Sequence, residues 1–303
     1  MERNFIAWAA VQSKRLPAVK LGIGDDAAIL AGDMRDRIVT CDSLCEGTHF
    51  RLAECGGEAV GRKLAGVNLS DVASMGAVAE ALFLSFCLPR TLAATLAQDL
   101  FRGAADIAER FGVAIAGGDT NTWDGPLVVH ATAVGRVEPD RAWRRGGGRP
   151  GDLVAVSGEL GGSILGKHLD FTPRLALVDP LRAAIDVTAA CDLSDGLGVD
   201  LLNLCAASRC GAELLLDQIP ISAAAKVLSE QDGILPLDHA VGDGEDFELL
   251  FTFPADQAHR LPAQIDGVPI RVIGQLVSRT GLWSRPTRGG KLDQFRPRGY
   301  QHR

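Results

Sequence analysis

The chain is poor in several things that would point to particular classes of protein. No run of about 18 apolar residues occurs, so no transmembrane span is expected. Basic residues do not dominate: 31 Lys and Arg face 38 Asp and Glu, a formal charge of −7, which argues against a general nucleic-acid binder. Aromatic residues make up 5%, with a single tyrosine, Tyr300. The seven cysteines include no Cys-x-x-Cys pair, so neither a disulfide framework nor a zinc site is expected. Reduced thiols in the cytoplasm are the simpler reading. Glutamate is scarce too: the 38 acids divide into 26 Asp and 12 Glu, beside 35 Gly. Glutamate favours helices, whereas Asp and Gly favour caps, turns and ligand-bearing loops.

What remains is enough to fold. At 47% hydrophobic and 23% charged, 303 residues can build one large core or two. Residues 1–15 have no small-residue cleavage site and carry Glu2, so an amphipathic helix is expected there rather than a signal peptide. Strand and helix patterns then alternate. The sequence predicts strands over 36–42, 80–89, 113–121 and 126–137, and helices over 57–77 and 92–112. Residues 139–152, dense in Pro, Gly and Arg, read as a boundary between lobes 1–138 and 139–303. Beyond it, GGSILGKHL (161–169) reads as a helix, CDLSDGLGVDLLNLCAASR (191–209) as strand end, turn and helix, and the stretch after Arg279 as poorly patterned. The class is α/β or α+β with two lobes.

Two motifs mislead. GIGDDA (22–27) has the spacing of a dinucleotide fingerprint, but Asp25 and Asp26 would repel a pyrophosphate and the AAILAGD stretch after them is too short for the helix. GGSILGK (161–167) has the spacing of a phosphate-binding loop, but His168 stands where the Mg²⁺-holding hydroxyl belongs.

The stronger signal is distributed. Aspartates recur at strand ends or beside glycines: Asp25 and Asp26, Asp42, Asp71, Asp119, Asp192 and Asp195, then Asp243, Glu245 and Asp246. Each alone reads as a turn or cap. Together they are suitable material for Mg²⁺, which takes oxygen ligands and is held by few carboxylates plus substrate phosphates.

GIGDDAA, TCDSLCEGTHF, GRKLAGVNLSDVASMGA, AIAGGDT, CDLSDGLGVDL and GEDFELLFT, in this order, closely resemble the thiamine-monophosphate kinase family, within the aminoimidazole-ribonucleotide-synthetase-like superfamily. The resemblance implies a two-lobed fold whose N-terminal sheet pairs in a homodimer, with ATP between the lobes. It implies several Mg²⁺ ions near Asp25, Thr40, Cys41, Asp42, Asp71, Asp119, Asp192 and Asp195, Cys41 standing where the family often has Thr. It implies ATP contacts at Phe101, Gly118, Asp119, Arg145 and Ser194, and thiamine monophosphate contacts at His49, Glu245 and Tyr300. Phe101 replaces a common Tyr, and Asp243 a common Gly. The implied reaction moves the γ-phosphoryl of ATP onto thiamine monophosphate in line. Its nucleophile is a phosphate oxygen already largely ionised at pH 7, so no general base is needed. Two alternatives stand beside it: a ring-closing synthetase of the same superfamily, and a non-catalytic Mg²⁺-nucleotide binding module.

Overall fold

The computed structural model describes residues 19–21, 25–30, 34–296 and 299–300. The expected first helix and Gly22 and Gly24 of the dinucleotide-like motif lie outside them. In the first half, β1 (Val19–Leu21), β2 (Ala28–Leu30), β3 (Asp36–Cys45), β4 (Val78–Pro89), β5 (Ala114–Trp123) and β6 (Val128–Val137) form one sheet in the order β1-β2-β3-β6-β4-β5. All pairs are antiparallel except β4–β5. Helices α1 (Leu52–Ser74) and α2 (Ala93–Arg110) follow β3 and β4. Their apolar residues close a core with the sheet around Ile38, Leu64, Leu82, Leu100 and Ile107.

The second half holds β7 (Leu153–Ser157), α3 (Leu175–Ala184), β8 (Ala189–Asp192), α4 (Leu197–Ser208), β9 (Gly211–Leu215), α5 (Ala223–Asp232), α6 (Pro236–Gly242), β10 (Leu249–Phe253), β11 (Gln264–Ile265), β12 (Val268–Val277), β13 (Gly281–Arg285) and β14 (Asp293–Gln294). Its sheet runs β14-β13-β9-β12-β7-β10-β8, with β11 on β12. One face buries Val154, Leu201, Leu204 and Ile273; the other buries Phe251, Leu177 and Leu181 together with Trp143 and Ala73.

The structure departs from the sequence reading in three places. Helix α1 begins earlier than 57, because Gly56 (φ 75°, ψ 166°) kinks it rather than preceding it. The stretch 161–169 holds only a 3-10 turn, Ser163–Leu165, since Gly161, Gly162 and Gly166 all adopt positive φ. The poorly patterned stretch after Arg279 supplies β13, which pairs in parallel with β9. Segment 139–152 lacks regular structure but is packed: Trp143 is buried and its N–H donates to the Met75 carbonyl at 2.9 Å.

Helix α1 is the element that positions the site. From Val60 to Ser74 nearly every residue is buried, including Lys63, Asn68, Ser70 and Ser74. The sheet covers one side, α2 another, and β8 and α3 of the second lobe also touch it. Glycines set the α1–α2 distance: a Cβ on Gly61 would fall 1.9 Å from the Leu100 carbonyl oxygen, and one on Gly103 1.8 Å from that of Glu58. Helix propensity alone would make Gly61→Ala stabilising by up to about 1 kcal/mol. The collision with backbone reverses the sign, and a net loss of about 1–3 kcal/mol is expected, read as a lower midpoint in thermal or urea unfolding.

Candidate active site

Three carboxylates from three elements meet at the C-terminal end of α1. Oxygens of Asp26, Asp71 and Asp192 all lie within 4.8 Å of one another. The helix period explains how one helix serves both lobes. Ser70 and Asp71 point about 100° apart, so Asp71 turns to β3 and Ser70 to β8. Thr40 donates its hydroxyl to Asp71 at 2.6 Å, Ser70 donates to Asp192 at 2.6 Å, and Ser74 donates to Asp26 at 3.0 Å. Asp42, two residues from Thr40 on β3, therefore shares its face and approaches Asp71.

The electrostatic cost is visible in every acid of the group. Burial, then the charges of Asp42, Asp192 and Asp26, push Asp71 well above the ordinary carboxylate range. Burial and Asp26 push Asp192 up to about 7. Burial raises Asp42 and Asp26, and burial with Asp26 raises Asp25 to about 6. Arg145 answers part of this charge: its guanidinium pairs with the buried Asp26 carboxylate, and its N–H donates to Asp25 at 3.1 Å. Burial disfavours charge on Arg145, but Asp26 more than restores it, and its Nε is buried without a protein partner.

A second group adjoins this one. The loop after β8 and the loop before β10 are laced together: Glu245 N–H donates to the Ser194 carbonyl at 2.7 Å, Leu193 N–H to that of Glu248 at 2.9 Å, and Phe247 N–H to that of Leu193 at 2.9 Å. Glu245 (φ 61°) and Phe247 (φ 49°) both adopt left-handed conformations, a strain that clusters at ligand-binding loops. Lys63, fully buried on α1, donates to Glu245 at 2.6 Å and to the His49 carbonyl at 2.8 Å. Tyr300 N–H donates to the Asp195 carbonyl at 3.0 Å. His49, Glu245, Ser194, Asp195 and Tyr300 are thus tied together, and the charges of His49 and Asp42 interact.

Other residues singled out in the sequence lie elsewhere. Cys41 occupies the opposite face of β3 from Thr40 and Asp42, because strand side chains alternate. Its thiol is 3.3 Å from His130 and is not directed at the acids. Asp119 pairs in register with Ser85, and Ser85 with His130, on that same outward face. It is exposed and accepts from Asn121 at 2.9 Å. Gly118 precedes it with φ 157°, its Cα so near β4 that a Cβ would fall 1.8 Å from the Leu84 oxygen. Phe101 is half exposed on α2. Asp243 and Asp246 hold loops rather than joining the acids: they accept from Gly162 N–H (2.7 Å) and Gly161 N–H (2.9 Å). Lys167 of the phosphate-loop look-alike pairs with the buried Glu248, which also takes Arg174.

Sequence reasoning by resemblance leaves Asp26 out of the metal set, although the residue pattern groups it with the other aspartates. It also missed Lys63, whose signal was a lysine inside an otherwise apolar and small-residue helix, GRKLAG.

Two family models match the chain: AIR synthase related protein, N-terminal domain, over residues 24–137, and the corresponding C-terminal domain over 149–283. The thiamine-monophosphate kinase of Rhodopirellula baltica is 40% identical over 100% of this chain and 97% of its own length. A solved AaThiL complex with AMPPCP and TMP superposes with a TM-score of 0.84 at 28% identity, covering 99% of this chain and 96% of that one. The crystal structure of thiamine-monophosphate kinase from Stenotrophomonas maltophilia K279a gives 0.75 at 32% identity, over 94% and 95%.

The sign of the pH dependence comes from the raised carboxylates. A group whose folded value lies above its unfolded one stabilises the fold below the unfolded value, near 4, and loses that contribution as pH rises through the folded value. Asp25 at about 6 and Asp192 at about 7 place the loss between pH 4 and 7. The metal-free protein should therefore melt lower at pH 8 than at pH 5, and Mg²⁺ should raise the pH 8 midpoint. Asp71→Asn should raise the metal-free midpoint at pH 8, by roughly 2–4 °C per kcal/mol of repulsion relieved, while shrinking the Mg²⁺ effect. A midpoint indifferent to both pH and Mg²⁺ would refute the like-charge account.

Proposed function

The chain belongs to the AIR-synthase-related proteins and, among them, to the thiamine-monophosphate kinase family; from that premise we propose that it moves the γ-phosphoryl of ATP directly onto the phosphate of thiamine monophosphate. The observation that carries this reading is the convergence of Asp26, Asp71 and Asp192, drawn from both lobes, beside Asp25 and Asp42. Such a site is short of positive charge, and the reaction must bring two polyanions into it.

The donor set fits Mg²⁺. It is all oxygen, its acids repel one another when ionised, and Arg145 answers only part of their charge. Asp25, Asp26, Asp42, Asp71 and Asp192 would hold the ions, with Thr40, Ser70 and Ser74 orienting the carboxylates. Bound Mg²⁺ supplies the positive charge that offsets the phosphates and the charge developing on the transferred group.

The chain's own groups do the rest. Arg145, with its unpartnered Nε facing no protein acceptor, is placed to take a phosphate oxygen once Asp26 turns to a metal ion. Glu245 offers a carboxylate to the amino group of the aminopyrimidine, and Lys63 fixes it in place. Tyr300 offers a flat face for the cationic thiazolium. The acceptor phosphate is already ionised, so the site needs to align and neutralise rather than abstract a proton.

The outward face of the first sheet exposes Phe83 and Trp123 beside Asp119 and His130. Pairing of that face in a homodimer would cover these rings and bring Asp119 and Gly118 toward a neighbouring chain's nucleotide. Residues 1–138 then form the dimerising and metal-binding lobe, and 139–303 complete the nucleotide and substrate site. Among the described residues no helix is long and apolar enough to cross a membrane, and the seven thiols are free; a cytoplasmic setting agrees with both.

Incubation with ATP, Mg²⁺ and thiamine monophosphate should yield thiamine diphosphate, followed by chromatography. Asp71→Asn should lower kcat by about 10²-fold or more, the scale of losing one preorganised electrostatic group, with the fold intact by circular dichroism. Failure of the wild-type protein to form the diphosphate would overturn the reading.

A further inference from the structure

A second concentration of charge, of the opposite sign, lies outside the acid site. A cleft of about 310 Å³ is lined by Arg35, Arg136, Arg141 and Arg182, with Glu138 and Asp179 the only acids among the described residues on its wall. None of these residues belongs to the carboxylate cluster or to the His49–Glu245 group. They come from both halves of the molecule: Arg136 lies on β6 of the first sheet and Arg35 just before β3, Arg182 and Asp179 lie on α3, and Arg141 lies in the connecting segment.

The ion pairs leave positive charge over. Arg35 pairs with Glu138 at 3.1 Å. Arg136 pairs with Glu80 at 3.0 Å, but Glu80 also takes Arg37, so it is shared between two guanidiniums. Among the described residues, Arg141 and Arg182 have no carboxylate within ion-pair distance. They also face each other: burial, then the charge of Arg141, disfavours the protonated form of Arg182. Two like charges held together in a cleft are the cationic counterpart of the acid cluster.

Arg182 is held in place rather than solvated. Its Nη1 donates to the Arg141 carbonyl at 3.0 Å and its Nη2 to the Gly76 carbonyl at 2.6 Å, while its guanidinium lies 5.2 Å from the centre of the Trp143 ring. Gly76 (φ 64°) makes room for it, since a Cβ there would fall 2.7 Å from Nη2 and 2.6 Å from the Trp143 ring. Two of the five guanidinium donors go to carbonyls, and the rest remain for an anion. Arginine forks match phosphate oxygens in pairs, and the volume suits a small polyanion, not a macromolecule.

We propose that this arginine cleft is a second anion site, separate from the acid cluster, which takes a diphosphate group and ties the two lobes together through Arg141 and Arg182. Inorganic pyrophosphate, a nucleoside diphosphate and thiamine diphosphate all present that chemistry, and a titration distinguishes them. The full chain is titrated calorimetrically with pyrophosphate, ADP and thiamine diphosphate in EDTA, where the metal-free carboxylates repel polyanions. At least one should bind, and Arg141→Gln should weaken it by about tenfold, the scale of a lost charged hydrogen bond. Arg141 is exposed and its side chain makes no ion pair among the described residues, so this variant should fold normally. Arg182→Gln is a second variant with the same expectation. Asp71→Asn should bind as the wild type does. The tightest of the three ligands identifies the source of the diphosphate. Absence of binding by all three, equal binding by Arg141→Gln, or loss of binding in Asp71→Asn would overturn the proposal. The measurement needs no turnover, so its outcome is independent of the kinase reading.

Discussion

Carboxylates that cannot all ionise together govern this molecule. Asp26, Asp71 and Asp192 are brought within 4.8 Å of one another from a loop, a helix and a strand end. A fold sustains such confinement only when something else holds the elements there. Here apolar packing supplies the hold, since α1 is buried between a sheet, a second helix and the neighbouring lobe. The acids have no route apart without unpacking that helix. Three hydroxyls, from Thr40, Ser70 and Ser74, fix the carboxylates in orientation without neutralising them. The cluster is held together by the fold against the repulsion of its own charges.

The same helix carries the second constraint. Lys63 lies two turns before Ser70 and is fully buried, so its charge needs partners inside the fold. It finds the Glu245 carboxylate and the His49 carbonyl. A helix that is buried nearly all round therefore delivers one cation to the His49 and Glu245 loops and one anion to the carboxylate cluster. The two groups keep their separation because a single rigid element bears both. Backbone bonds between the loops around Ser194 and Glu245 complete the link to the second lobe.

Much of this was legible in the sequence because it rests on local rules. The alternation of strands and helices, the Asp-Gly loops at strand ends and the change of character at 139–152 are readable in periodicity and turn chemistry. Thr40 and Asp42 were found through resemblance, and strand alternation then explains why Cys41 between them turns away. What could not be read depends on tertiary neighbours. The helix expected at 161–169 fails because three glycines adopt positive φ, a choice made by Asp243 and Asp246 gripping the Gly162 and Gly161 N–H groups from 80 or so residues away. Strand β13 exists because β9 offers it an edge and Glu213 takes Arg279 and Arg285. The role of Lys63 depends on a partner 182 residues on, which local pattern does not reveal.

Net charge conceals this organisation. A formal −7 suggests a uniformly acidic protein, yet the acids fall into groups with different physical fates. Glu248 is held below its ordinary range because Arg174 and Lys167 outweigh its burial. Asp71 is raised by burial first, and then by neighbouring charges of its own sign. The first is a closed ion pair that needs nothing further, and the second is open. The arginines divide in the same way: Arg174 is matched by Glu248, whereas Arg141 and Arg182 face each other. In a protein that handles phosphates and their counter-ions, function is to be sought where like charges have been forced together, because there the fold has left the balancing charge to a ligand.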